Sequence, residues 1–157
     1  MTAPATDELT QSIRGAGLKV TEPRVAVLKA LHEHPHSDAD TVFGHVRQTL
    51  AGTSLQAVYG VLAALTTAGL LRKIEPAGSS ALYERRIGDN HHHLVCSSCG
   101  VVRDVDCVVG EAPCLTPSSG AGFAIHTAEV TFWGLCPTCQ QDQAALPEPT
   151  PNMKERS

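Results

Sequence analysis

The chain has 157 residues, 42% hydrophobic and 18% charged, with a formal net charge of −4, a length that suits one ordinary domain or two small ones that each need help with a core. No apolar run approaches the roughly 18 residues of a membrane span, and the start MTAPATDELTQ has neither the basic segment nor the apolar core of a secretory signal. Six cysteines, four of them in metal-type pairs, fit a reducing cytoplasm better than a disulfide scaffold, so a cytoplasmic protein with no membrane attachment is expected.

The charge is unevenly spread. Residues 1–90 hold nine Lys/Arg and nine Asp/Glu, and residues 91–157 hold three and seven. Within the neutral half, Arg14, Lys19, Arg24 and Lys29 face only Glu22, and Arg72, Lys73, Arg85 and Arg86 form a second basic cluster. Such stripes can meet phosphates on a protein that is acidic overall, and they serve equally as solvated helix faces.

Leu9 and Ile13, four residues apart, predict a short first helix over 7–15, closing near Gly15 and Gly17. Thr21 before Glu22 and Pro23 marks the next start, because threonine caps and proline is tolerated in the first turn. Val25, Val27, Leu28 and Leu31 give that helix its apolar stripe. Asp38 caps a third helix carrying Val42, Val46 and Leu50, which stops at Gly52. The fourth starts at Thr53, with Gln56 completing a capping box, buries Val58, Val61, Leu62 and Leu65, and ends at Gly69. Its outward positions are then Ser54, Gln56, Tyr59, Gly60, Ala63 and Thr67, an uncharged face able to approach base edges. Two β-prone runs, Leu70 to Ile74 and Ala81 to Arg85, flank PAGSS and read as a hairpin. Helices followed by a hairpin are the order of a winged helix-turn-helix, in which one helix enters the major groove and flanking basic residues hold phosphates. A three-helix core with a hairpin is also a protein-binding platform.

Beyond residue 90 the chemistry changes. HHHLVC reads as a strand, with His91, His93 and Val95 on one face and His92, Leu94 and Cys96 on the other. Cys96/Cys99 and Cys136/Cys139 are two C-x-x-C pairs separated by 36 residues. Four thiolates in two such knuckles can close a tetrahedral structural zinc shell. His91 and His93 would point away from that shell, available to a second metal centre of different chemistry. Val101 to Val105 predicts a further strand with Asp104 exposed, residues 107–122 hold a short helix at most, and Phe123 to Leu135 holds two more β-prone runs. Such small strands with an apolar edge suggest a dimerising α+β unit. The proline-bearing tail from Gln140 to Ser157 is expected to be disordered.

LKVTEPRVAVL, AVYGVLAAL, the HxHLxCxxCG segment and the distant C-x-x-C together resemble the ferric uptake regulator family over nearly all of residues 8–139. GDNHHHLVCSSCG followed by VDCVVGEAPCL resembles in particular its actinobacterial FurA/CatR branch, linked to catalase-peroxidase control. The resemblance implies an α+β fold: a winged helix-turn-helix DNA-binding domain over 1–88, a small α/β zinc-containing dimerisation domain over 89–139 and a tail over 140–157. It implies a homodimeric repressor of promoter DNA, active when metal-loaded. Cys96, Cys99, Cys136 and Cys139 then hold structural Zn(II), and His36, Glu84, His91, His93 and Asp104 hold regulatory Fe(II) or Mn(II). Three imidazoles and two carboxylates suit these ions and also Zn(II), so the donors alone do not choose. DNA contacts fall to Tyr59, Gln56, Ser54, Lys19 and Arg24, though Gly60 stands where the family often has arginine. A third metal site would need ligands near Asn90, His92, Glu111 and Ala128, with His126 or Glu129 as substitutes. Cys107 and Cys114 are redox candidates if the protein senses peroxide.

Rival readings are a Zn-, Mn- or Ni-sensing regulator of the same family, and a zinc-ribbon interaction module without DNA binding. A zinc hydrolase or deaminase is disfavoured: the cysteine shell leaves no open position, and neither an H-x-E partner nor an H-E-x-x-H helix is present.

Overall fold

The computed structural model describes residues 6–85, 91–106, 121–124 and 130–144. Contacts divide the chain into two compact units, Met1–Asp89 and Asn90–Ser157.

The first unit contains α1 (Thr6–Gly15), α2 (Glu22–Glu33), α3 (Ala39–Thr49), α4 (Leu55–Thr67), β1 (Arg72–Ile74) and β2 (Leu82–Glu84). Its core follows the apolar stripes: Leu9, Ile13, Val27, Leu28, Leu31, Val42, Val46, Val58, Leu62 and Leu65 are all essentially inaccessible. Val25, Leu50 and Val61 pack against that core from partly buried positions. Asp38 caps α3 as expected, its Oδ1 accepting from the Thr41 amide at 2.8 Å. Thr21 occupies the cap position of α2, but its hydroxyl makes no capping bond.

The cap of α4 is Ser54 rather than Thr53. The Thr53 amide is still bonded to Leu50 O in the turn that leaves α3, whereas Ser54 is extended and its Oγ accepts from the Ala57 amide at 3.2 Å. Gln56 is therefore the second helical residue and is not placed to close a capping box. At the other end, Gly69 is left-handed, with φ +71. Its amide and that of Leu70 bond back to Thr66 O and Leu65 O, the paired bonds of a Schellman close that glycine permits without a Cβ penalty. The chain is thus turned directly into the hairpin. There β1 and β2 pair antiparallel, with Arg72 opposite Glu84, Lys73 opposite Tyr83 and Ile74 opposite Leu82. Each strand is shorter than its β-prone run; on the β1 side Leu70 is taken by the helix close.

The second unit holds β3 (His91–Cys96), β4 (Val102–Asp106), β5 (Thr131–Gly134) and α5 (Pro137–Ala144). The sheet order is β4-β3-β5, with β4 antiparallel and β5 parallel to β3. The central strand is buried along most of its length, while all four residues of β5 are exposed. Residues 140–144, expected within a disordered tail, complete α5 instead. The expected short helix in 107–122 falls almost wholly on residues outside the described set, as does the first β-prone run after Phe123 and the tail beyond Ala144.

Candidate metal centres and nucleic-acid interface

The cysteine cluster is built by two backbone devices. In the first knuckle the Gly100 amide bonds back to Cys96 O at 2.9 Å and the Cys96 amide to Val101 O at 2.9 Å. That tight reversal needs the left-handed φ of +75 found at Gly100. The second knuckle is the entry of α5, where the Gln140 amide bonds to Cys136 O at 3.0 Å. Ser97 ties the two together through its amide and hydroxyl, both donating to Gly134 O. All four sulfurs lie within 4.8 Å of one another, and Cys99 and Cys136 are 3.8 Å apart. A tetrahedron with Zn–S bonds of about 2.3 Å has an edge of about 3.8 Å, so the cluster fits zinc. Backbone amides of Cys99 and then Cys136 lower the Cys96 thiol to about 6. The Cys139 thiol is pushed up to about 12: the Ser98 hydroxyl lowers it, but the sulfurs of Cys136 and Cys99 and burial outweigh that. Four crowded sulfurs cannot all be anionic without a cation among them, which is the electrostatic signature of a thiolate metal site.

A second donor set in the same unit follows from strand pairing. His91 and His93 share a face of β3, and Asp104 is the cross-strand partner of His93 on β4. Asp104 Oδ1 lies 3.7 Å from His93 Nε2 and 3.9 Å from His91 Nε2, and the two rings meet edge to face at 5.0 Å. Asp104 is half-buried rather than exposed, because the strand alternation that aims the histidines inward aims it at them. His92 takes the other face, edge-on to Phe132 at 6.1 Å. It is buried, and its Nδ1 has no hydrogen-bond partner among the described residues. Asn90, Glu111, His126, Ala128 and Glu129, named for a third metal site, lie outside the described residues, as do Cys107 and Cys114.

The first unit carries its own pair of donors. The Tyr83 amide bonds to Ser37 O at 2.9 Å, pinning the loop before α3 onto β2. Beside this staple His36 adopts φ +57, a conformation that costs a non-glycine residue about 1 kcal/mol. Its Nε2 donates to Glu84 Oε2 at 2.9 Å, and the Glu84 side chain is 0% exposed. A carboxylate so deeply buried requires cationic or donor partners. Nitrogen and carboxylate donors of this kind suit iron or manganese and also zinc, whereas the tetrathiolate selects zinc.

The sequence placed Arg72 in a basic cluster, either phosphate-facing or solvated. It lies instead across the strand pair from Glu84, with Nε 3.9 Å from Oε1. The hairpin register would have revealed this had the strand ends been known. Also unforeseen are the stacked rings of His34 and His45, 3.9 Å apart, which join the end of α2 to α3.

Of the residues expected at DNA, Gln56 and Tyr59 share an outward face of α4, with Tyr59 44% exposed. Ser54 Oγ is engaged as the helix cap, leaving its O–H proton to donate. Arg24 donates to the backbone carbonyl of Lys19, which ties the first turn of α2 to the segment before it.

A winged-helix unit followed by a small sheet, with a tetrathiolate cluster and separate histidine and carboxylate donors, defines the class of metal-responsive transcriptional regulators. The family model of the ferric uptake regulator family matches residues 15–132, and the chain belongs to that family. It is 58% identical to the transcriptional regulator FurA of Mycobacterium tuberculosis over 142 residues, covering 90% of this chain and 97% of that protein. Among solved structures it is similar to the Vibrio cholerae ferric uptake regulator, with TM-score 0.67 and 27% identity, covering 81% of this chain and 98% of that one. It is likewise similar to the Francisella tularensis regulator determined with iron, with TM-score 0.66 and 25% identity over 79% and 96% of the two chains.

Proposed function

We propose that the protein is a homodimeric, metal-dependent repressor that binds promoter DNA. In this reading Cys96, Cys99, Cys136 and Cys139 hold structural zinc. His36 and Glu84 of the first unit share one Fe(II) or Mn(II) ion with His91, His93 and Asp104 of the second. The observation that carries it is the buried Glu84 carboxylate bonded to a strained His36, because backbone strain and a buried charge are retained where a site uses them. Iron as the working ion draws support from the Francisella tularensis regulator determined with iron. Iron or peroxide-defence genes, such as a catalase-peroxidase, are the proposed targets, in keeping with the similarity to FurA.

When bound, the ion supplies coordination bonds between the two units. Donors on both units gain those bonds in one arrangement only, and the population shifts toward it. If that arrangement lets both recognition helices of a dimer reach major grooves about 34 Å apart, metal licenses repression. Gln56 and Tyr59 would face base edges, and Ser54, Lys19 and Arg24 the phosphates. The exposed strand β5, at the edge of the sheet formed by the described residues and carrying Phe132 and Trp133, supports pairing with a second copy.

The test is fluorescence anisotropy on labelled promoter DNA of the chain's own operon, with and without Mn(II) as an air-stable probe. Mn(II) should tighten binding at least about tenfold, within the usual span of allosteric coupling, and His93→Ala should abolish that response while leaving the zinc content unchanged. A response to Mn(II) that survives in His93→Ala would refute the assignment.

A further inference from the structure

Glu84 is completely buried, and each of its oxygens has a cationic or donor neighbour within the first unit. Oε2 accepts from His36 at 2.9 Å, and Oε1 lies 3.9 Å from Arg72 Nε. Neither neighbour is there by accident of side-chain flexibility. Arg72 and Glu84 are directly paired in the hairpin register, and the Tyr83–Ser37 bridge sets His36 beside the same carboxylate. The two partners differ in what metal would do to them. His36 is itself a donor atom that a cation can recruit once its Nε2 proton has left. Arg72 has no lone pair to offer and stays positive at any physiological pH. Its side chain is 22% exposed, so solvent only partly screens it.

We propose that Arg72 sets the metal affinity of the His36–Glu84 half-site: it is a fixed internal cation that neutralises Glu84 when metal is absent and opposes a divalent ion when metal arrives. This rests on the assignment of Glu84 as a regulatory ligand. Two consequences follow from one charge. Without metal, the guanidinium lets an ionised carboxylate remain buried and aimed, so the donor is already in place. With metal, a positive charge within several ångströms of a divalent ion raises the concentration needed to fill the site. The regulator would then respond to a surplus of metal and stay unloaded at the trace levels that an unopposed set of imidazoles and carboxylates would capture. Arg72 also lies in the first strand of the wing, so the charge balance at the metal is felt in an element expected to lie near DNA phosphates.

The experiment uses the full-length, zinc-replete protein, with Mn(II) titrated and the free ion read by its paramagnetic resonance signal. Four variants are compared with the parent: Arg72→Met, Arg72→Gln, Arg72→Lys and Glu84→Gln. Removing the charge should tighten Mn(II) binding about tenfold, the scale expected for one partly screened charge near a divalent ion, and the gain should shrink in high salt. Arg72→Lys, which restores the charge, should return to within about threefold of the parent, as a merely structural role for the guanidinium fork would not. Arg72→Gln keeps the measurement available if methionine at this position prevents folding. Mn(II) affinity in both neutral variants equal to or weaker than the parent's would overturn the proposal. Glu84→Gln separates the two levels: if it binds Mn(II) as the parent does, the site assignment itself is wrong and the role of Arg72 falls with it. If it loses Mn(II) while the neutral Arg72 variants match the parent, only the role of Arg72 is overturned.

Discussion

Single residues carry much of the local order in the first unit, and Asp38 shows how. Its carboxylate is held below the ordinary aspartate value of 3.8, first by the Thr41 hydroxyl and then by the Thr41 amide. A depressed carboxyl favours the folded state only while it is ionised. Its contribution is therefore present above pH ~4 and lost as the pH falls through the lowered folded value. Asp38→Ala should cost about 1 kcal/mol at neutral pH, the usual worth of such a cap, and the deficit relative to the parent should shrink toward acid; urea unfolding at several pH values reads both. The sequence disclosed this cap because an acidic residue before an apolar repeat has few other uses. It disclosed His36 and Glu84 only through family resemblance, since no local pattern announces a left-handed histidine or a buried glutamate 48 residues away.

At the scale of elements, α4 departs from what its own stability would select. Gly60 is in the middle of the helix on its exposed side, and a Cβ there would meet nothing within 4 Å. Glycine inside a helix costs about 1 kcal/mol relative to alanine, and among the described residues nothing lies close enough to a Cβ at this position to repay it. Gly60→Ala should accordingly raise unfolding stability by about that amount in thermal or urea unfolding, and an unchanged or lower stability would show a hidden constraint on the backbone. Helix identity and buried faces in this unit were legible from apolar spacing alone. The ends were less so: Ser54 displaced Thr53 because a backbone turn out of α3 was already using the Thr53 amide, a fact no residue spacing encodes. In the second unit, the alternation of HHHLVC foretold which histidines share a face. It could not foretell that Asp104 turns inward, because that depends on the β3–β4 register.

The molecule as a whole combines two metal chemistries that the sequence already kept apart: sulfur donors in paired knuckles, and nitrogen and oxygen donors spread from residue 36 to residue 104. The knuckles are short-range motifs and were readable without a fold. The second set has members in both compact units, and its unity is the central claim. An anomalous difference map from crystals of the Mn(II)-loaded dimer, recorded at the manganese edge, tests that claim most directly. The account predicts a single manganese peak per chain at this set, bonded to His36 and Glu84 on one side and to His91, His93 and Asp104 on the other. A peak ligated by donors of only one unit, with His36 still bonded to Glu84, would contradict it.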